Sequence, residues 1–258
     1  MTTLHSILLG IVEGFTEFLP ISSTGHLILA SRVLGLNEGE FLKTFEIVIQ
    51  LGAMCAVVLY YFKILFKWDT IKKLFVAFLP TAIAGLLLYK FAKMHLLGNA
   101  TVVVAALFVG GIILIVFEYF YKRKTRGEHL PMRLENLSYK NAILIGVFQI
   151  LAIIPGVSRS GATILGGLAL GLERGVIVEF SFLLAVPTIL AASGLDLVKN
   201  YTLITSDNFG LLAAGFVTSF VVAILSIRFL LAFARKHDFI VFGIYRILLS
   251  AAFYFLFL

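Results

Sequence analysis

Charge is scarce in this chain. Of its 258 residues, 14% are Asp, Glu, Lys or Arg, against about 25% in a soluble domain. With 60% hydrophobic residues and a mean hydropathy of +1.04, that deficit excludes a soluble cytosolic enzyme and a disordered chain. Neither could hide so much apolar surface. Cysteine is nearly absent. Cys55 stands alone in an apolar run, so no intramolecular disulfide forms and a disulfide-stapled secreted domain is excluded. The N-terminus lacks a basic n-region, and its apolar stretch carries Glu13 and Glu17, so no cleavable signal is expected. Period-2 alternation is missing as well, which disfavours a β-barrel. An all-α polytopic membrane protein remains.

Six apolar runs are long enough to cross a hydrocarbon core of ~30 Å. They cover roughly 42–66, 71–94, 100–121, 175–198, 209–234 and 239–258. Four others, at 4–20, 27–36, 142–155 and 162–172, are too short or too interrupted. These short pieces correspond in pairs. A shift of 136 carries Gly10 to Gly146, Ser22 to Ser158, Gly25 to Gly161, and Leu34-Gly35-Leu36 to Leu170-Gly171-Leu172. Glu13 falls on Gln149, and Pro20 on Pro155 within one residue. Glu46 resembles Glu179, and Thr81 resembles Thr218.

The chain therefore reads as two repeats, each a re-entrant helix pair followed by three spans. Repeat 1 is 1–122 with its pair at 2–36. A basic linker follows at 123–139. Repeat 2 is 140–258 with its pair at 140–172. Three crossings per half invert the second half. Paired broken segments in inverted repeats point to a site near the bilayer midplane.

The net charge of +7 is a topology signal rather than a mark of nucleic-acid binding. One side collects 13 basic residues, among them Lys63, Lys67, Lys72, Lys73, Arg174, Arg235, Lys236 and the linker's Arg126 and Arg133. The other has 5, namely Arg32, Lys43, Lys90, Lys93 and Lys199. The heavier side is expected to face the cytoplasm, so that both termini and the first re-entrant pair open outward. The linker's cations also suit anionic lipid.

Chemistry gathers in the short pairs. Glu13 and Glu17 are four apart and share a helix face. Two carboxylates at membrane depth either hold a divalent cation through oxygen ligands, or one stays protonated as an acid/base. The bland alternative is a helix end among headgroups. Pro20 stops that helix. Ser22, Ser23 and Thr24 open the next, where a hydroxyl caps and free N–H groups suit an anion. His26 follows Ser23 by three residues, so hydroxyl and imidazole are expected to meet as nucleophile and base. In the second pair, Arg159 stands at a tip made of Gly156, Ser158, Ser160, Gly161 and Thr163. It either clamps phosphate with two N–H groups or pairs with Glu17 and locks the loops together. Arg246, in the last span, is expected to pair with Glu179 or Glu118. Glu46 and Gln50 either line the cavity or are plain span residues. His5, His95, His129 and His237 share no metal-ligand spacing. The set suits a phosphate ester or anhydride whose apolar tail stays in lipid.

The stretches Glu13-Gly-Phe-Thr-Glu17-Phe-Leu-Pro-Ile-Ser-Ser-Thr-Gly-His26 and Pro155-Gly-Val-Ser-Arg-Ser-Gly-Ala-Thr163 resemble the two signature motifs of the bacterial undecaprenyl pyrophosphate phosphatases, the bacitracin-resistance family. The likeness covers essentially the whole chain. It implies hydrolysis of undecaprenyl diphosphate in the bacterial inner membrane, a divalent cation (Mg²⁺ or Ca²⁺), and a fold of inverted repeats. Matched to the family's motifs, Glu13 and Glu17 are the acidic pair that holds the metal, and Ser23 and His26 are the catalytic pair. Arg159 is the phosphate clamp, with Ser22, Thr24, Gly25, Ser158, Ser160, Gly161 and Thr163 around the substrate. Thr24-Gly25-His26 is also similar to a motif of phosphatidic-acid-type phosphatases. Those need a second histidine after their Ser-Arg motif, and here the next is His237. A transporter or flippase for a phosphorylated polyprenyl lipid is the other reading. A homodimer is compatible with either.

Overall fold

The structure, a computed structural model, describes residues 1–36, 39–96, 99–125, 134–200 and 203–257. Arg126, His129 and Arg133 of the basic linker lie outside the described residues. The described residues form helices α1 (Thr3–Thr16), α2 (Ser23–Val33), α3 (Glu40–Tyr60), α4 (Phe62–Leu65), α5 (Trp68–His95), α6 (Ala100–Thr125), α7 (Tyr139–Gln149), α8 (Arg159–Ala169), α9 (Arg174–Asn200), α10 (Ser206–Ala234) and α11 (Ile240–Phe257). A 3₁₀ turn, Ile150–Ile153, prolongs α7.

Among the described residues five helices are long and apolar enough to cross a membrane: Glu40–Tyr60, Trp68–Ala92, Ala100–Arg123, Arg174–Gly194 and Ser206–Ala234. The protein is a polytopic helical membrane protein. Two expected spans differ from the reading above. The run at 42–66 breaks at Tyr61, where α3 ends and α4 begins. The last span is α11, 18 residues long, or about 27 Å at 1.5 Å per residue. That is just short of the hydrocarbon thickness.

The two halves match in local geometry as well as order. α2 and α8 each start on a serine with positive φ, Ser22 at 70° and Ser158 at 78°. Each serine caps its helix by accepting from a backbone N–H three residues on, Gly25 and Gly161. Each helix ends in the same way. Gly35 (φ 64°) and Gly171 (φ 81°) turn the chain, and Leu36 and Leu172 donate back to Ser31 and Gly167. Only glycine takes that turn without strain.

The halves interlock. α1 of the first packs on α10 of the second, and α7 of the second packs on α5 of the first. Both contacts bring backbones together. A Cβ on Gly10 or Gly14 would strike the carbonyls of Gly215 or Ser219, and one on Gly146 would strike that of Ala77. Ser226 donates to the Phe15 carbonyl at 2.8 Å, and Thr81 to that of Gly146 at 3.0 Å. α6 packs on α11. A large apolar core, with Phe18, Phe180, Phe182 and Phe239 fully buried, underlies both broken segments.

Beyond that core the ends are tied by ion pairs. Arg174 grips Glu118 with both terminal nitrogens at 2.5 Å, and Glu118 also accepts from the Phe239 N–H. Lys67 pairs with Glu135 at 2.7 Å and Lys73 with Asp69 at 2.6 Å. Lys122 pairs with Asp238. Burial pushes the Asp238 carboxyl up, but the Lys122 ammonium and the Ile240 N–H outweigh it and hold the group below the usual carboxylate range.

Candidate active site

Glu17 sits where α1 stops, 6% exposed. Its two oxygens serve two loops. Oε2 accepts from the Ser23 hydroxyl at 2.5 Å, and Oε1 from Arg159 Nη2 at 2.7 Å. The other terminal nitrogen of Arg159 donates to the Ser181 carbonyl of α9 at 3.0 Å. One carboxylate thus joins the nucleophile candidate of the first motif to the arginine of the second.

The two tips are fixed against each other. Ser160 donates to the Leu19 carbonyl at 2.8 Å, and its hydroxyl lies 3.1 Å from that of Ser158. Thr163 meets the Ser181 hydroxyl at 2.6 Å. Thr24 faces outward and is exposed. Positive φ at a residue with a side chain costs of order 1–3 kcal/mol and persists where surroundings overdetermine it. Here both strained serines stand at the head of a helix, where the first backbone N–H groups have no intrahelical partner and suit an anion.

Glu13, one turn before Glu17, is fully buried, and among the described residues neither of its carboxylate oxygens has a hydrogen-bond partner. Glu17, Glu46 and Arg159 act on it electrostatically. Among the described residues no three His, Cys, Asp or Glu gather as a metal cage. A small hard cation is often held by one or two carboxylates together with substrate phosphates. The orphaned oxygens of Glu13 fit that mode, whereas both oxygens of Glu17 are already engaged. At the matching place in the second half, Gln149 donates its amide to Thr81 at 2.9 Å and Thr188 at 3.1 Å.

Two expectations fail. His26 does not meet Ser23. Its Nδ1 lies 2.7 Å from the Ser22 carbonyl and its Nε2 lies 2.7 Å from the Tyr245 hydroxyl. Both ring nitrogens are thereby engaged, while the Ser23 hydroxyl donates to Glu17. Nor does Arg246 pair with Glu179 or Glu118. Glu118 is taken by Arg174, and Arg246, 1% exposed, gives its five N–H groups to five carbonyls. Nε serves Leu107, Nη1 serves Pro20 and Val157, and Nη2 serves Ala106 and Gly156. The acceptors lie on α6 and on both loop tips, so carbonyl dipoles replace a counter-ion.

Sequence reasoning missed Ser181 and Tyr245. Ser181 lies in an apolar stretch with no motif around it. Tyr245 adjoins Arg246, and a charged residue within a span was the signal that could have drawn attention to it. A cavity of about 540 Å³ lined by Tyr61, Lys67, Glu179 and Arg235 lies elsewhere, and none of the motif residues lines it.

The family model for the bacitracin resistance protein BacA matches residues 6–252. An undecaprenyl-diphosphatase of Persephonella marina is 50% identical over 254 residues, covering 98% of each chain. One of Sulfurihydrogenibium sp. is 49% identical, covering 98% of this chain and 99% of its own. One of Campylobacter jejuni is 47% identical over 259 residues, covering all of this chain and 95% of its own. Such similarity spans both loop tips and the helices that carry them, and with it the chain belongs to the BacA bacitracin resistance protein family.

Proposed function

We propose that the protein is an integral membrane phosphatase that hydrolyses undecaprenyl diphosphate to undecaprenyl phosphate and inorganic phosphate. It thereby recycles the lipid carrier for cell-wall synthesis and confers bacitracin resistance. The observation that carries the reading is the shared carboxylate: Ser23 and Arg159 meet on Glu17 between two helix N-termini.

The site's own residues divide the work. Arg159 leaves Glu17 for the terminal phosphate, whose charge outbids a carboxylate, and the N-termini of α2 and α8 take further phosphate oxygens. Glu17, still holding the Ser23 hydroxyl, takes its proton as the oxygen attacks phosphorus. The anhydride bond breaks and undecaprenyl phosphate leaves. Water then releases the phosphate from Ser23, which recovers its proton from Glu17. In the variant without a covalent step, Glu17 activates water directly. Charge on the transferring group is stabilised by Arg159 and the backbone dipoles. Glu13, joined by the Glu17 oxygen that Arg159 vacates, would hold Mg²⁺ or Ca²⁺, which would neutralise diphosphate charge. His26 holds α2 in place rather than acting on Ser23.

The matching caps and turns of the two halves support a duplicated unit, with repeats at 1–122 and 140–258 joined by the linker 123–139. Three spans per unit invert the second. The basic bias supports a cytoplasmic linker and a site that opens toward the outside of the bacterial inner membrane. A tag at either terminus is then reachable from outside intact cells, and one inserted at 126–133 is not.

The deciding experiment is phosphate release from undecaprenyl diphosphate by purified protein in detergent, with and without Mg²⁺ or Ca²⁺. Wild type releases phosphate, while Glu17→Gln and Arg159→Ala lose at least about a hundredfold, the scale of a lost electrostatic group. No release by wild type sinks the enzyme reading. A phosphoserine trapped on Ser23 selects the covalent route, and a nearly fully active Ser23→Ala selects water.

A further inference from the structure

His26 is held on both sides. The Ser22 carbonyl can only accept, so Nδ1 carries the proton and Nε2 presents a lone pair in the neutral ring. That lone pair receives the Tyr245 O–H at 2.7 Å. The two rings also stack, with centroids 5.5 Å apart and planes within 9°. Tyr245 comes from α11, more than two hundred residues along the chain, and neighbours Arg246, the residue that clasps both loop tips. Tyr245 is 42% exposed and His26 8%.

We propose that Tyr245 is a positioning residue for the phosphatase site, fixing the ring plane of His26 and through it the first turn of α2. This rests on the phosphatase reading above. A hydroxyl suits the place because it both donates and accepts. When the ring gains a proton at Nε2, the same contact reverses and Nε2–H donates to the phenol oxygen. His26 then holds its orientation through a change of charge, and Ser22 and Ser23 hold theirs. Phenylalanine would keep the stacking and lose the reversible bond.

The test uses the full-length protein in detergent with undecaprenyl diphosphate, comparing wild type, Tyr245→Phe, His26→Ala and the double variant. The expected result for Tyr245→Phe is a kcat lowered about tenfold, the scale of one hydrogen bond to a potentially charged partner, with KM within about twofold. The double variant should be no slower than His26→Ala, because the phenol acts only through the ring. Tyr245→Phe at wild-type kcat, or a double variant that loses the product of the two single factors, overturns the proposal. No activity in wild type overturns the phosphatase reading instead. A second readout does not depend on turnover. Diethyl pyrocarbonate attacks an imidazole lone pair, so His26 should react several-fold faster in Tyr245→Phe than in wild type, as followed by peptide mass spectrometry. Equal rates would mean that the phenol does not guard Nε2.

Discussion

Replacing Arg246 with lysine separates two ways of holding a buried cation. If a carboxylate anchored Arg246, lysine would keep most of the attraction. The structure instead shows five N–H groups on five carbonyls, at 2.9–3.3 Å. Lysine has three donors on one atom, so at least two carbonyls lose their partner. Each buried polar group left unmade costs about 1–3 kcal/mol, giving about 2–6 kcal/mol for the pair. At about 2–4 °C per kcal/mol for a chain of this size, thermal unfolding in detergent should fall by at least about 4 °C. Activity should suffer more than stability. Two of the acceptors, Gly156 and Val157, lie just before Ser158, and Pro20 lies just before Ser22. A displacement of about 1 Å at a reacting group costs of order a hundredfold, so kcat should drop by about that factor. An Arg246→Lys protein that melts within about 2 °C of wild type and keeps its kcat would refute the clasp.

Glu118→Gln abolishes a buried ion pair and leaves Arg174 unmatched. It should cost about 3–5 kcal/mol, read as a lower unfolding temperature in detergent. Gly14→Val drives a side chain into the backbone of α10 and should cost at least about 1–3 kcal/mol, or prevent accumulation of folded protein, while Gly85→Ala, with open space around it, should be silent. Glu13→Gln replaces an unpartnered buried carboxylate, so the cation-free protein should melt higher and should no longer be stabilised by added Mg²⁺. An unchanged Mg²⁺ response would remove Glu13 from the cation site. The folded-state value of Asp238 is depressed, so its stabilisation is full above the ordinary carboxylate range and is lost as pH falls through the lower value. Lys122→Met raises that value, and the acid limb of thermal stability should then begin at higher pH.

Much of the fold was legible because its signals are local. Long apolar runs mark the spans, and Leu34-Gly35-Leu36 against Leu170-Gly171-Leu172 marks the duplicated turn that both halves adopt. The loop residues were legible because polar groups in an apolar chain are conspicuous. What the residues do to one another was not. Spacing placed His26 one turn from Ser23, but it carries no information about Glu17 Oε2 or about Tyr245, which α11 brings from the far end of the chain. Arg246 was noticed for its charge and assigned a carboxylate. Five backbone carbonyls have no sequence signature at all. The break at Tyr61 was likewise hidden inside a continuous apolar run.

Glu13 and Gln149 show how a duplicated frame comes to hold one chemical site. Both stand at the same register of the first helix of a broken pair, and both are fully buried. In the second half the side chain is a neutral amide donating to two threonine hydroxyls, Thr81 and Thr188. That pairing satisfies the amide nitrogen, though Oε1 stays buried and unmatched among the described residues, and it ties α7 to α5 and α9. In the first half the same place holds a carboxylate with both oxygens unpartnered, and the next turn adds Glu17. A fold selected for stability alone would have no reason to keep that arrangement in an apolar interior. The first half therefore carries the acidic pair, and the second supplies the cation, Arg159, that bonds to its Glu17. Neither half is a site by itself. The interlocking of α1 with α10 and of α7 with α5 joins the two halves that carry the loops, so the packing of the halves is itself part of the proposed site.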